Sequence, residues 1–240
     1  MADRPPFPGA IAATHLRVYD TEAPDGLAGG TPHLHTACTE AYWVVAGTGV
    51  VQTLTAGDYE EVPLEPGAFV WFTPGTIHRL VNGGDLELLV LMQNAGLPEA
   101  GDMVITFPAD VLASSGAYAA AATLPEDERT TTGTGDAARA RRDLAVPTFL
   151  ELRDATSAGD PAPLRAFHDA AARLVQPRTA DWAKRWREGP LREVEHTGDL
   201  LRALAEADAD HLADASVHRL PPPGEERRMG CCGTLGTFLP

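Results

Sequence analysis

The sequence predicts an all-β sandwich or barrel over residues 15–107, followed by a mainly α-helical extension over residues 108–240. Three observations carry this. The first segment is broken into short apolar runs of strand length, each closed by a turn signal containing glycine or proline. No helix-length periodic run interrupts these, which argues against a parallel sheet with crossover helices. After Pro108 the texture changes to alanine, leucine and arginine at helical spacing.

Taken in order, residues 1–14 read as an N-terminal arm. "MADRPPFPGAIAAT" holds three prolines and one arginine but no unbroken apolar stretch of the length a signal segment needs. Nowhere does an apolar run approach membrane-spanning length, so the expectation is a soluble, cytoplasmic protein. His15 precedes an apparent first strand. "AYWVVAG", "GVVQTLT", "GAFVWFT", "TIHRLVN" and "LELLVLMQ" then supply β-branched and aromatic runs, bounded by "AGTG", "EPG", "TPG" and "NGGD". Many short strands at even spacing suggest a sandwich or barrel.

Beyond Pro108, "ADVLASSGAYAAAATL" predicts a helix with Asp110 near its start, and the polar, glycine-bearing stretch at about 125–136 a loop. "PAPLRAFHDAAARLVQ" repeats apolar residues at Leu164, Phe167, Ala171 and Leu174. "ADWAKRWREG" sets Trp182 and Trp186 one turn apart, most simply as a helix face packing on the β-domain. "GDLLRALAEADADHLA" would bury Leu200, Leu201, Leu204 and Leu212 if helical. The tail, residues 216–240, is too rich in proline and glycine to be regular throughout and is expected to be irregular.

Charge narrows the partners. The chain carries 34 acidic and 19 basic residues, a formal net charge of −15. Such a surface repels phosphate backbones and anionic headgroups, and no cluster of lysine or arginine offsets it, so neither nucleic acid nor a membrane is an expected partner. The three cysteines, Cys38, Cys231 and Cys232, cannot all pair within one chain, and reduced thiols are expected. The vicinal pair in "GCCG" could bind a soft ion, but no third ligand stands near it in sequence.

The chemistry concentrates in "HLHTACTE". On a strand, His33 and His35 point to one face, whereas the five-residue step to Glu40 has the wrong parity, so a turn at "TACT" must intervene. Glu40, Tyr42 and Val44 would then share a face of the next strand. Further on, "GAFVWFTPGTIHRLVN" turns at Pro74-Gly75 and opens a new strand with His78. Imidazoles with a carboxylate suit a divalent transition ion such as Fe, Mn, Ni, Zn or Cu. Each histidine would donate its second ring N–H to a partner that the sequence cannot name. His168, His196, His211 and His218 have no ligand spacing and are expected at the surface or in helix packing.

These residues carry a family resemblance. His33, His35, Glu40 after four intervening residues and Gly47 after six more fit the first motif of the cupins, G-x5-H-x-H-x3,4-E-x6-G. The glycine that should precede them falls at Leu27, with Gly29 and Gly30 nearer. Gly67, Gly75, His78 and Asn82 fit the second motif, G-x5-P-x-G-x2-H-x3-N, with Thr73 in place of the usual proline. The resemblance covers roughly residues 15–107 and implies a cupin jelly-roll barrel with a metal ion bound near one mouth by His33, His35, Glu40 and His78.

It further implies an enzyme acting on a small organic substrate, with a dioxygenase-type oxidoreductase first, and Glu40 available as a catalytic base. A non-catalytic small-ligand-binding module and a metal-dependent isomerase or cyclase remain alternatives. Tyr42, Gln52 and Met92, on strands beside the ligands, are the expected substrate-pocket residues. Trp71 and Arg79 lie on the same strands, but alternation should turn about half of such residues outwards. Cupins often pair, which makes a homodimer an expectation.

Overall fold

A computed structural model of the chain describes residues 7–238. The start of the expected N-terminal arm, residues 1–6, and the end of the expected tail, residues 239–240, lie outside the described residues. The rest of the arm is a 3-10 turn at Pro8–Ala10 and the opening of β1 (Ala12–Val18), which includes His15. There follow β2 (His33–His35), β3 (Glu40–Leu54), β4 (Tyr59–Leu64), β5 (Phe69–Phe72), β6 (Ile77–Met92) and β7 (Met103–Ile105).

Two of the turn signals do not end strands. "AGTG" and "NGGD" lie within β3 and β6, which pair antiparallel from Glu40↔Met92 to Leu54↔Ile77. The register slips between Val44 and Gly49 instead. Gly47 there has a φ of 72°, and a Cβ on Gly49 would come within 2.3 Å of the Val81 carbonyl oxygen. Such bulges bend and twist a strand without reversing it, so β3 and β6 each serve both halves of the sheet. In one half, their ends around Glu40 and Met92 are flanked by β5 and β1. In the other, their opposite ends are flanked by β4 and β2, with β7 beyond β2. The result is an antiparallel jelly-roll sheet, nine-stranded among the described residues once the two strands of the tail are included. Its hydrogen-bonded path stays open, where a closed barrel was expected. Leu34, Val44, Leu54, Leu80 and Leu88 are almost fully buried in its core.

The helical extension departs from the sequence reading in several places. The single helix expected at residues 109–124 is two, α1 (Ala109–Leu112) and α2 (Ser115–Ala122). Ser114 takes extended backbone between them, and its hydroxyl accepts the Ala117 N–H as an N-cap. The loop at about 125–136 contains a 3-10 turn at Glu126–Glu128 and ends where α3 (Asp136–Ser157) begins.

α3 runs through Pro147 in a stretch with no expected helix. Its inward stripe includes Arg141 and Arg142, whose charges hide the apolar period. Arg142 is nevertheless satisfied, donating to the carbonyls of Thr21, Glu22 and Gly29 and so anchoring the segment that leads into β2. α4 (Ala162–Val175) buries Leu164, Phe167 and Ala171 as expected, with Val175 closing the stripe and Leu174 half-buried.

In α5 (Thr179–Trp186) the expected tryptophan pair separates. Trp182 is buried and its indole N–H donates to the Ala100 carbonyl at 3.3 Å, while Trp186 is 39% exposed. After a π-turn at Arg187–Leu191 comes α6 (Arg192–Ala205), which has no buried residue. Leu200 is half-buried, and Leu201, Leu204 and Leu212 are exposed, contrary to expectation. Periodicity shows that a helix has an apolar face but not that anything covers it.

The tail is only partly irregular. It contains β8 (Arg228–Met229) and β9 (Gly233–Phe238), and β9 extends the sheet along β1 from Ala13↔Phe238 to Val18↔Gly233. The glycines that suggested irregularity instead allow close approach: a Cβ on Gly233 would lie 1.9 Å from the Arg17 carbonyl oxygen. Gly233→Ala is therefore expected to lower stability by about 1–3 kcal/mol, the usual cost of overpacking, in urea denaturation. An unchanged midpoint would mean that β9 does not sit this tightly on β1. Among the described residues, no helix is long and apolar enough to cross a membrane.

Candidate metal centre

Strand geometry alone brings the histidines together. His33 and His35 share a face of β2 because they are two residues apart, and His33 lies directly opposite His78 across the β2–β6 pair. The bend at residues 36–39 then resets the parity so that Glu40, at the start of β3, turns to the same point. On the other side, the Pro74-Gly75 turn is tied to β2 by the Gly75 N–H, which donates to the His35 carbonyl at 2.9 Å. Gly75 has a φ of 90°, a conformation that favours glycine. One ligand atom from each of His33, His35, Glu40 and His78 lies within 4.8 Å of all the others, and all four residues are buried.

The hydrogen bonds fix which ring atoms face the centre. The Nδ1–H of His33 donates to the Thr31 carbonyl at 2.8 Å, and that of His78 to the Thr76 carbonyl at 3.2 Å. A carbonyl only accepts, so both Nδ1 atoms carry protons and, in the neutral rings, both Nε2 atoms present bare lone pairs. Those two Nε2 atoms are 3.1 Å apart. Glu40 Oε2 lies 3.1 Å from His78 Nε2 and 3.3 Å from His35 Nε2 but makes no hydrogen bond of its own. Lone pairs crowded together in a dry site, beside an orphaned carboxylate oxygen, are what a cation would satisfy. The donor set therefore fits a divalent transition ion.

His35 is held differently from the other two. Its Nδ1 is 2.5 Å from Oδ1 of Asp102, a fully buried carboxylate that also accepts the Ala37 N–H at 3.2 Å. Sequence reasoning missed Asp102. It is 67 residues from His35, and only the β2–β7 register, which sets His35 opposite Met103, brings it there.

Electrostatics follow from these contacts. Burial, reinforced by the neighbouring His78 and His35, keeps His33 well below the usual histidine range, hence neutral. Burial also opposes charge on His35, but the bond to Asp102 and the negative charge of the nearby Glu40 outweigh it and raise that ring to about 9. Glu40 would likewise be raised by burial, yet His78 and His35 hold it well below the carboxylate range, so it is ionised.

A cavity of about 330 Å³ opens beside the cluster, lined in part by His33, His35, Glu40 and Met92. Of the expected pocket residues, Met92 lies in its wall; Tyr42 and Gln52 do not. Tyr42 is fully buried behind the ligands, its ring against Phe72 and His78 at centroid distances of 5.2 and 6.2 Å. Gln52 lies past the slip in β3, where its amide donates to Glu61 at 3.0 Å. Trp71 faces solvent, and Arg79 is buried in an ion pair with Asp25. Asn82 of the second motif braces the irregular part of β6, accepting the N–H groups of Gly84 and Leu86. A larger groove of about 740 Å³ among α1, α3 and α4 is lined by none of the four ligands.

Of the other histidines, His168 on α4 donates to the Gly75 carbonyl at 3.0 Å, which braces the turn before His78. His196, His211 and His218 are not buried, as their lack of ligand spacing suggested.

Residues 21–93 match the family model described as a cupin domain. None of the curated proteins matches the chain. Similar solved structures include KdgF from Halomonas sp., at 23% identity over 34% of this chain and 67% of that one, with a TM-score of 0.28. The Streptomyces protein Pac13, described as a nucleoside dehydratase, shares 23% identity over 39% of this chain and 68% of its own, with a TM-score of 0.28. A sugar phosphate isomerase from Silicibacter pomeroyi shares 23% identity over 35% of this chain and half of its own, again with a TM-score of 0.28. The β-domain assignment rests on the family match and the motif residues, not on these partial likenesses.

Proposed function

Residues 21–93 of this chain are a cupin domain, and from that premise we propose a mononuclear metalloenzyme that binds a small organic substrate through oxygen atoms and acts on it as a dioxygenase-type oxidoreductase. The observation that carries the reading is the complete donor set of three imidazoles and one carboxylate. Four protein ligands on a six-coordinate ion leave two positions for exogenous groups. A bound iron, manganese, nickel or copper ion would supply Lewis acidity and access to O2, whereas zinc would supply the first alone.

The chain's own residues do the rest. Asp102 and the carbonyls of Thr31 and Thr76 hold the three rings in one orientation. Glu40 brings a negative charge into a dry site, and its carboxylate, once released from an ion, would be free to accept a proton from a substrate hydroxyl or enol. Apolar side chains such as Met92, Val90 and Leu16 limit water in the cavity. A volume of about 330 Å³ is at the small end for ligand pockets and suits a small molecule.

Oxygen uptake tests this reading. Protein loaded in turn with Fe(II), Mn(II), Ni(II) and Cu(II) is screened with phenolic and keto-acid substrates. O2 consumption that disappears in Glu40→Gln is expected. A compound that stabilises the protein thermally but is recovered unchanged would instead identify a binding module. Conversion without oxygen consumption would identify an isomerase or cyclase.

A further inference from the structure

The C-terminal "GCCG" is not a loose tail. The β8–β9 register pairs Arg228 with Leu235 and Met229 with Thr234, and the Gly230 N–H donates to the Gly233 carbonyl at 2.8 Å. Cys231 and Cys232 are therefore the two tip residues of a tight hairpin. That tip is wedged into the β-domain. The Cys231 carbonyl accepts the Thr31 N–H at 2.9 Å, and the Cys232 carbonyl accepts the Tyr19 N–H at 3.1 Å. Arg141 and the Tyr19 hydroxyl both bond the Gly230 carbonyl. A Cβ on Gly30 would come within 2.6 Å of the Cys232 Cα, so the backbone fit is close.

A buried free cysteine is ordinarily a small apolar filler. Here the distribution of sulfur is uneven. The chain has four methionines and three cysteines. Met92, Met103, Met229, Cys231 and Cys232 all line the one cavity of about 330 Å³, leaving only Cys38 and Met1 elsewhere in the sequence. The wall of this cavity thus offers two thiols and three thioethers in addition to the nitrogen and oxygen donors, with Met92 opposite Glu40, Met103 opposite His35, and Met229 just before the hairpin tip. Thiolate and thioether ligands select soft ions, whereas imidazole with carboxylate favours borderline divalent ones.

We propose that the hairpin tip is a second metal site, in which Cys231 and Cys232 bind one soft monovalent ion of the copper(I) class, with methionine thioethers completing its surroundings. On binding, each S–H bond breaks, its proton leaves to solvent, and its electron pair forms the sulfur–metal bond. The ion enters already as copper(I), so no oxidant or reductant takes part. Because Tyr19, Thr31, Gly30 and Arg141 fix the backbone of the tip, both cysteines stand at set points of the cavity wall before the ion arrives.

The test is anaerobic titration of the 240-residue protein, its divalent site preloaded with zinc, with copper(I) buffered by bicinchoninate. One tightly held equivalent is expected, accompanied by ultraviolet thiolate-to-copper charge-transfer absorption. Cys231→Ser/Cys232→Ser should lose both signals while keeping native circular dichroism, and Cys38→Ser should keep both. Should the double variant misfold, the single variants Cys231→Ser and Cys232→Ser replace it, and each should lose the tight equivalent. His33→Ala/His78→Ala, titrated without zinc, should retain the copper(I) equivalent. Copper retained by folded cysteine variants, or lost with the histidines instead, would overturn the proposal.

Discussion

Asp25→Asn is expected to cost about 3–5 kcal/mol of folding stability, because it leaves the Arg79 guanidinium charged, buried and without its counter-ion. Arg79 has no exposed surface, and it meets Asp25 in a two-bond fork, Nη1 to Oδ2 at 2.5 Å and Nη2 to Oδ1 at 3.0 Å. The Arg79 Nε has no partner, so the fork is its main compensation. The effect should reach the metal centre, since Arg79 follows His78 on β6 and the Asp25 segment leads into β2. Urea denaturation at neutral pH measures the loss; a difference below about 1 kcal/mol, within the range of ordinary substitutions, would mean that Arg79 finds another partner.

The same pair sets an acid dependence. Burial alone would raise the Asp25 carboxyl, but the bonds and charge of Arg79 bring it below the usual carboxylate value. A group with a depressed folded pKa contributes stability that is complete above its unfolded pKa and lost as pH falls through the folded one. Stability of the native chain should therefore decline below about pH 4, where free aspartate titrates. Asp25→Asn should lack that component and show a shallower decline.

Asp102→Asn is expected to weaken metal binding about 10- to 100-fold while leaving the fold in place, as is usual when a ligand histidine loses its supporting carboxylate. The asparagine carbonyl can still accept the His35 Nδ1–H, but it brings no charge, and its amide nitrogen cannot accept the Ala37 N–H that Asp102 Oδ2 now takes. Zinc affinity measured by chelator competition, alongside urea denaturation to separate binding from folding, reads the effect. Equal affinities for the two proteins would show that Asp102 supports the loop at residues 36–37 and not the ion.

The clustering of the four candidate ligands was legible in the sequence because their placement is mostly local geometry. His33 and His35 obey strand alternation, the "TACT" bend accounts for Glu40, and a Pro-Gly turn delivers His78. Asp102 was not legible, since the register between two three-residue strands, β2 and β7, brings it to His35 and no local signal encodes that. The strand count failed at "AGTG" and "NGGD" because glycine marks a bulge as readily as a turn, and only the partner strand distinguishes them. α3 was hidden by Pro147 and by arginines that face inward to bond carbonyls. The tail misled for a related reason: Gly230 and Gly233 frame a hairpin, where composition suggested irregular chain.

Metal content tests the account most directly. The purified protein, stripped with chelator, reconstituted with a divalent transition ion and cleared of excess, should retain one such ion per chain by elemental analysis. His33→Ala/His78→Ala, treated identically and still folded, should retain none at that site. Native protein that emerges from reconstitution without bound metal would contradict the account.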